Sequence, residues 1–328
     1  MIEVKRAPSY ALLSTLRPSV DVHQLHGVVH AFKQLLRTLW AAMCCDTLHC
    51  ITEQQANSFL RDGISCIFRL TKLYCEMFTL CDVHDWLQMM QLFGRWHREP
   101  QHAHEQTGES AGGKSRAELA DDWLRCEVEL NQFLRLLDRK LESFNRARSL
   151  QSSKIAVGDE IPMKQFRFSL YSASEQRITE PEMRLDALLT RSSSDTVRAA
   201  RLQVLLVCYG SSSVASLLHE QERLPFDILV DGDRRLYRFL QLQRSTFGTW
   251  NAGTMAFYAQ KMHAQQPLPT LPEAGGMDDV HQMGADLLLD RCGRIRFLHR
   301  SRFSTDRPEL HELLTAAAID ENRATDTK

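Results

Sequence analysis

The stretch that decides the fold is RLQVLLVCYGSSSVASLLHEQERLPFDILVDGDRRLYRFLQL, residues 201–242. Short apolar runs at residues 202–207 and 226–230 predict two strands. Helical periodicity at residues 214–222 and 234–242 predicts a helix after each strand. Strands that alternate with helices favour a parallel sheet in an α/β domain.

The same kind of pattern extends to both sides of this stretch. Residues 165–173 alternate like a strand, and residues 252–262 predict another helix. Two strands follow at residues 285–289 and 294–299, joined by the turn DRCG, and a last helix spans residues 309–318. This order is that of a thioredoxin-like α/β domain, which we expect over residues 154–319, with a disordered tail at residues 320–328.

The N-terminal part, residues 1–153, predicts an all-α helical bundle. Three helices are expected at residues 22–49, from Thr52 to Cys81, and at residues 83–97. Residues 98–114 are polar and glycine-rich, which is typical of a loop or disorder. A capping box of Ser115 and Glu118 then opens a long helix. Its apolar residues recur every three or four positions, at Leu119, Trp123, Cys126, Leu130, Phe133, Leu137, Leu141 and Phe144. We therefore expect an α+β protein of two domains.

Composition limits the classes of function. With 328 residues, 43% apolar residues and a net charge of −1, the chain is typical of a globular protein without a field that attracts nucleic acid or membranes. No apolar run reaches the length of a membrane span, and the first ten residues lack a signal-peptide core. The nine cysteines include no C-x-x-C pair, which predicts reduced thiols and a cytoplasmic location.

Three motifs have a functional and an ordinary interpretation. GESAGGKS at residues 108–115 matches a phosphate-binding loop with Lys114 and Ser115 as the phosphate and magnesium ligands, but the buried strand that such a loop requires is missing before it. CCDTLHC at residues 44–50 places Cys45 and His49 on one helix face, without a second ligand pair elsewhere. The carboxylates Asp227, Asp231 and Asp233 are explained by a strand end and a helix cap. We therefore expect no metal, cofactor or nucleotide site.

Two thiols remain as candidates for chemistry. Cys208 follows a predicted parallel strand at its carboxyl end, the edge where α/β folds place ligands. Cys292 lies in the predicted hairpin turn. A reactive thiol needs a helix N-terminus or a nearby cation to lower its pKa, and the sequence favours inert packing for both.

Residues 155–318 resemble the peroxiredoxin-like proteins of the AhpC/TSA type. The resemblance rests on FDILVDGDRRLYRFLQL, DVHQMGADLLLD followed by GRI, and HRS followed by DRPELHELL. The helical extension and VLLVCYGSSS are similar to the selenoprotein L group, in which a U-x-x-U pair stands where relatives have C-x-x-C. The resemblance implies a thioredoxin-like fold, a peroxide or disulfide substrate, and a thiol reductant as partner.

The chain departs from this family at its redox segment. The family fold has a buried strand leading to a redox pair at a helix N-terminus, where the helix stabilises the anionic chalcogen. Such a unit needs on the order of 30 residues, but only TRSSSDTVRAA, residues 190–200, lies between Leu189 and Arg201. We expect an incomplete central sheet and no catalytic residue in this chain. We also expect either a domain that is less stable than its relatives or an irregular segment at residues 190–200.

Two explanations and two classes of function stay open. A selenocysteine codon read as a stop would lead gene prediction to splice around the redox segment, or the segment was lost naturally. The chain is then either an inactive redox protein or a non-enzymatic interaction module that binds a protein partner. The oligomeric state is not predicted by the sequence.

Overall fold

The computed structural model describes residues 20–44, 69–99, 114–148, 155–172, 174–175, 177–184, 196–197, 202–203, 205–223, 227–266, 279, 281–290 and 292–325. An N-terminal set of helices precedes an α/β region with short strands, which confirms the predicted α+β fold with two domains. Within the described ranges, none of the helices combines the length and the apolar character that crossing a membrane requires.

Four helices form the N-terminal bundle: α1 (Val22–Cys44), α2 (residues 69–80), α3 (Trp86–Trp96) and α4 (Arg116–Arg148). Helix α4 begins at the predicted capping box. The backbone N–H of Ser115 donates to Glu118 Oε2 at 2.7 Å, and the backbone N–H of Glu118 donates to Ser115 Oγ at 3.2 Å. The predicted helical residues 45–49 and most of the predicted loop at 98–114 lie outside the described residues.

The apolar seam of α4 faces the bundle interior, as its periodicity predicts. Its buried members are Leu119, Trp123, Cys126, Leu130, Phe133 and Leu137. Three aromatic rings meet at the centre: Trp123 lies 4.8 Å from Phe32 and 4.9 Å from Tyr74, both edge to face. Edge-to-face contacts add to the stabilisation that burial provides.

One carboxylate lies inside this aromatic core. Glu127 accepts hydrogen bonds from the Tyr74 hydroxyl at 2.6 Å and from Trp123 Nε1 at 3.0 Å. Burial raises the pKa of Glu127 to about 7, against the opposing effect of these two hydrogen bonds. The bundle therefore contains a titratable group at its centre.

The C-terminal half carries one sheet of four strands. The opening hairpin consists of β1 (Arg167–Ser172) and β2 (Arg177–Arg184), and two later strands, β5 (Leu206–Tyr209) and β6 (Ile228–Asp231), enclose α5 (Ser212–Glu222). The strand order is β2-β1-β6-β5, with β5 and β6 parallel and the other pairs antiparallel. The β5-α5-β6 unit agrees with the α/β pattern of residues 201–242.

The predicted strand at residues 202–207 is divided in the structure. Residues 202–203 form β4 (Leu202–Gln203), which pairs antiparallel with β3 (Thr196–Val197). Strand β5 begins only at Leu206 and continues to Tyr209, because its register with β6 pairs Leu206 with Ile228 and Tyr209 with Asp231. The single strand over residues 202–207 was therefore a wrong prediction.

The remaining elements are α6 (Arg235–Phe239), α7 (Thr246–Trp250), α8 (Ala252–His263), β7 (Ala285–Leu289), β8 (Ile295–Arg300) and α9 (Leu310–Thr325). Strands β7 and β8 form the predicted hairpin as a separate two-stranded sheet. Helix α6 ends before the predicted residue 242, since Gln241 adopts a left-handed conformation with φ of 56°. Helix α9 continues to Thr325, into the stretch that we expected to be disordered.

Helices α7 and α8 belong to the hydrophobic core of the bundle. Four residues of α8, namely Ala252, Met255, Ala256 and Ala259, are buried in the same apolar cluster as α1 and α4. Asp138 of α4 accepts hydrogen bonds from the Ser245 hydroxyl at 2.5 Å and from the backbone N–H of Thr246 and Phe247, at the start of α7. The N-terminal helices thus share one core with helices from the C-terminal half.

Candidate functional site

The carboxyl ends of β5 and β6 meet at one edge of the four-stranded sheet. Because the two strands are parallel and in register, Cys208 lies beside Val230 and Tyr209 lies beside Asp231. This is the edge at which α/β folds bind ligands. The predicted thiol Cys208 is thus at the position in the fold that its sequence context indicated.

Asp231 organises the chain just beyond this edge. Its side chain is buried and accepts hydrogen bonds from the backbone N–H groups of Arg235, Leu236 and Tyr237, at 2.9, 2.9 and 3.4 Å. Burial raises the pKa of Asp231, although the three hydrogen bonds act in the opposite direction. These contacts satisfy the first N–H groups of α6, so Asp231 is a helix cap, as the sequence predicts.

Cys208 is half-buried next to a tyrosine. The hydroxyl of Tyr237 donates to the carbonyl oxygen of Val207 at 3.0 Å. Burial raises the pKa of Tyr237 well above its ordinary value, and negative charge on Cys208 and Asp231 acts in the same direction. Tyr237 is therefore a neutral donor that holds the backbone of β5 beside the thiol.

A second polar cluster lies at the same edge and was not found from the sequence. The carboxylate of Asp279 is almost fully buried and pairs with Arg244 and with Arg234, whose NH1 lies 2.8 Å from Oδ2. The guanidinium of Arg234 also lies 4.8 Å from the centre of the Tyr209 ring, and the Tyr209 hydroxyl donates to the Asp279 carbonyl. Burial alone would raise the pKa of Asp279, but Arg244 and Arg234 lower it overall.

His281 completes this cluster as a buried neutral side chain. It is 2% exposed, and neither ring nitrogen has a hydrogen-bond partner. Burial lowers the pKa of His281 to about 4, so the ring is uncharged at neutral pH. The cluster draws its members from three separate stretches of chain, and no local spacing in the sequence links them.

Cys292 lies in the turn between β7 and β8 and is exposed. Its backbone N–H donates to Asp290 Oδ1 at 2.9 Å, as does that of Arg294. Burial alone would raise the pKa of Asp290, but these hydrogen bonds and the charge of Arg296 lower it overall. Asp290 shapes the turn. Cys208 lies in the four-stranded sheet, whereas Cys292 lies in the turn of the separate β7–β8 hairpin.

The other sequence motifs have structural roles where they are described. Lys114 pairs with Asp122, whose side chain is 4% exposed and also binds Lys33 at 2.7 Å and Arg125 at 3.1 Å. Ser115 caps α4. Of the cysteine-rich motif only Cys44 is described, as the last residue of α1, and Cys45 and His49 lie outside the described residues. No group of three or more His, Cys, Asp or Glu side chains in the described ranges is arranged around a metal position.

Comparison with known proteins finds one similarity, in the C-terminal region. A family model described as AhpC/TSA antioxidant enzyme matches residues 188–302, about a third of the chain. The match covers β3 to β8 and leaves out the bundle and the hairpin of β1 and β2. No curated protein and no solved structure matches the chain significantly. Residues 188–302 are therefore similar to AhpC/TSA antioxidant enzymes.

Proposed function

We propose that this protein is a peroxiredoxin-like redox protein of the selenoprotein L kind that lacks its redox pair between Leu189 and Arg201. In this form it does not turn over peroxide. The reductant of the active relatives would be a thiol protein. The cysteine content without C-x-x-C pairs supports a reducing, cytoplasmic compartment for it.

The division of the sheet is the observation that carries this proposal. Strand β5 is the last strand in the order β2-β1-β6-β5, and the hairpin of β7 and β8 forms a separate sheet. In the described ranges, the other backbone contacts of the hairpin run from the start of β8 to residues 158–161 and not to β5. Both pieces nevertheless contribute to one apolar cluster, with Val207 from β5 and Leu287 and Leu298 from the hairpin. One more strand between β5 and the hairpin would join the four-stranded sheet and the β7–β8 hairpin into one sheet. The loss of a central strand would therefore leave the two separate.

The described part of the segment at residues 190–200 does not supply that strand. Its described residues, Thr196 and Val197, pair with Leu202 and Gln203 as a hairpin of their own. The two thiols within the matched range, Cys208 and Cys292, lie in a strand and in an exposed turn. Neither position is the helix N-terminus that stabilises a catalytic thiolate.

A peroxide-consumption assay tests the proposal. We expect the full chain, supplied with a thiol reductant, to show only the slow oxidation of its accessible thiols and no repeated turnover. The double variant Cys208→Ser/Cys292→Ser should behave in the same way. Repeated turnover by the wild-type chain would contradict the proposal, and loss of that turnover in the double variant would identify those thiols as its source.

Restoring the segment separates a crippled redox protein from an interaction module. A strand–C-x-x-C–helix insert of about 30 residues would be placed between Leu189 and Arg201, with a C-x-x-C to S-x-x-S insert as control. We expect peroxide turnover only with the cysteine insert. If the insert folds and remains inactive, the non-enzymatic module that binds a protein partner is the better description. Genomic DNA between the two codons that encodes neither U-x-x-U nor C-x-x-C would exclude a splicing artefact.

A further inference from the structure

We infer that His84 and His263 form a binding site for a divalent transition metal, with Zn²⁺ as the probe, at the contact between the bundle and helix α8. His84 lies in the loop between α2 and α3, and His263 is the last residue of α8. Nδ1 of His84 lies 3.3 Å from Nε2 of His263. The two residues are 179 positions apart in the sequence.

The distance between the two nitrogens fits a shared zinc ion. Two imidazole nitrogens bound tetrahedrally at about 2.0–2.1 Å from one zinc ion lie about 3.3–3.4 Å apart. The 3.3 Å between Nδ1 of His84 and Nε2 of His263 matches this separation, so zinc would replace the direct contact of the two rings with little movement of either.

The neighbours of His263 suit the tautomer that a metal requires. Thr79 Oγ1 donates its hydrogen to the carbonyl oxygen of Cys75 at 2.9 Å, so its lone pairs are left to accept. Nδ1 of His263 lies 3.4 Å from Thr79 Oγ1. In the tautomer that carries its proton on Nδ1, His263 donates to this hydroxyl oxygen, and the lone pair of Nε2 faces His84. Metal-binding histidines almost always donate their second N–H in this way.

The position also suits a cation and is reachable from solvent. His84 is exposed and His263 is half-buried. His263 lies in the last turn of α8, where the carbonyl end of the helix dipole attracts positive charge. Lys261, the other basic residue of that turn, is directed to the ring of Phe257, with Nζ 5.3 Å from its centre.

A metal at this point would change how the two halves are held together. When the ion binds, His84 carries its proton on Nε2, and water fills the remaining coordination positions, since only two protein ligands converge. The ion would link the loop of the bundle to the end of α8, adjacent to an apolar cavity of about 460 Å³ that Thr79, Leu80 and Met262 help to line. A site with two histidines prefers Cu²⁺ and Zn²⁺ over Mg²⁺ or Ca²⁺.

Calorimetric titration of the full-length protein with zinc sulfate, under a reductant that does not bind metals, tests the inference. The chain has other histidines and cysteines, so each variant is compared with wild type. We expect His84→Gln, His263→Gln and the double variant to lose the same single binding event. His26→Gln is the matched control, because His26 is an exposed histidine that stacks on His30 at 6.2 Å in the same bundle. It should retain that event.

Two further measurements keep the inference falsifiable. Zinc should raise the melting temperature of wild type and of His26→Gln but not that of the two site variants, whose folding without metal is checked by circular dichroism. Thr79→Val should weaken zinc binding about 10-fold to 100-fold, as expected for loss of a hydrogen-bond partner of a ligand. Zinc binding that is unchanged in either site variant, or lost equally in His26→Gln, would overturn the inference.

Discussion

The helical bundle and the C-terminal sheet differ in where their backbone N–H and C=O groups find hydrogen-bond partners. Each bundle helix makes its hydrogen bonds internally and needs only to bury one face, as α4 does with Trp123 and Leu130. A strand needs neighbours, and the described strands lie in three separate sheets, β2-β1-β6-β5, β3-β4 and β7-β8. A helix therefore satisfies its backbone hydrogen bonds without its neighbours, whereas a strand loses hydrogen bonds when a neighbouring strand is missing.

Truncating one leucine in each region measures this difference directly. Leu130 in α4 is 1% exposed, and we expect Leu130→Ala to lower the free energy of unfolding by about 2–5 kcal/mol. Leu287 in β7 is only half-buried, so Leu287→Ala should cost clearly less. Urea denaturation gives both values. Equal losses would mean that the separate hairpin is as tightly packed as the bundle.

The buried carboxyl of the bundle predicts a pH dependence of stability. The pKa of Glu127 is about 7 in the folded state, whereas an unfolded glutamate titrates near 4.3. Between about pH 4.3 and pH 7, Glu127 therefore keeps its proton in the folded state, whereas the unfolded state has released it. The contribution of this group to stability is fully present below about pH 4.3 and is lost as the pH rises to about 7, by about 4 kcal/mol in total.

Glu127→Gln should remove this dependence, because the amide does not titrate. Unfolding of wild type and variant at pH 5 and pH 8 would show it. The control is Glu129→Gln, an exposed glutamate of the same helix, which should keep the wild-type dependence. A variant Glu127→Gln with an unchanged slope between these pH values would show that another group titrates.

Removing the contact between Asp138 of α4 and the start of α7 should lower the free energy of unfolding by less. Asp138→Ala removes the acceptor for the start of α7, which leaves the N–H groups of Thr246 and Phe247 without it. We expect a loss of about 1–2 kcal/mol, typical of a lost helix cap, and faster hydrogen exchange in α7. Asp138→Asn keeps one acceptor oxygen and should lose less. If both variants have the free energy of unfolding of wild type, the hydrogen bonds of Asp138 do not stabilise the contact between α4 and α7.

Local patterns in the sequence predicted the local parts of the structure. The capping box of Ser115 and Glu118, the seam of α4 and the cap formed by Asp231 each depend on residues a few positions apart. The strand at residues 202–207 was predicted wrongly because its limits are set by pairing with β6, which lies beyond the following helix.

Contacts between distant segments could not be predicted. Asp279 meets Arg234 and Arg244 only in the folded chain, and His84 meets His263 across 179 positions of the sequence. The sequence also does not indicate that α8 packs into the bundle, because its apolar residues would equally suit a helix that packs on a sheet. The position of Cys208 at the carboxyl edge was predicted, because a strand followed by a helix places it there in any parallel arrangement.

The burial of Met255 and Ala259 among the bundle helices has a consequence for cleavage of the chain. A protease that cut between residues 148 and 155 would break the polypeptide but leave the shared core intact. The two fragments should then elute together from a sizing column and separate only in denaturant. We therefore expect that the N-terminal helices and α8 hold each other in place through the apolar cluster that they share.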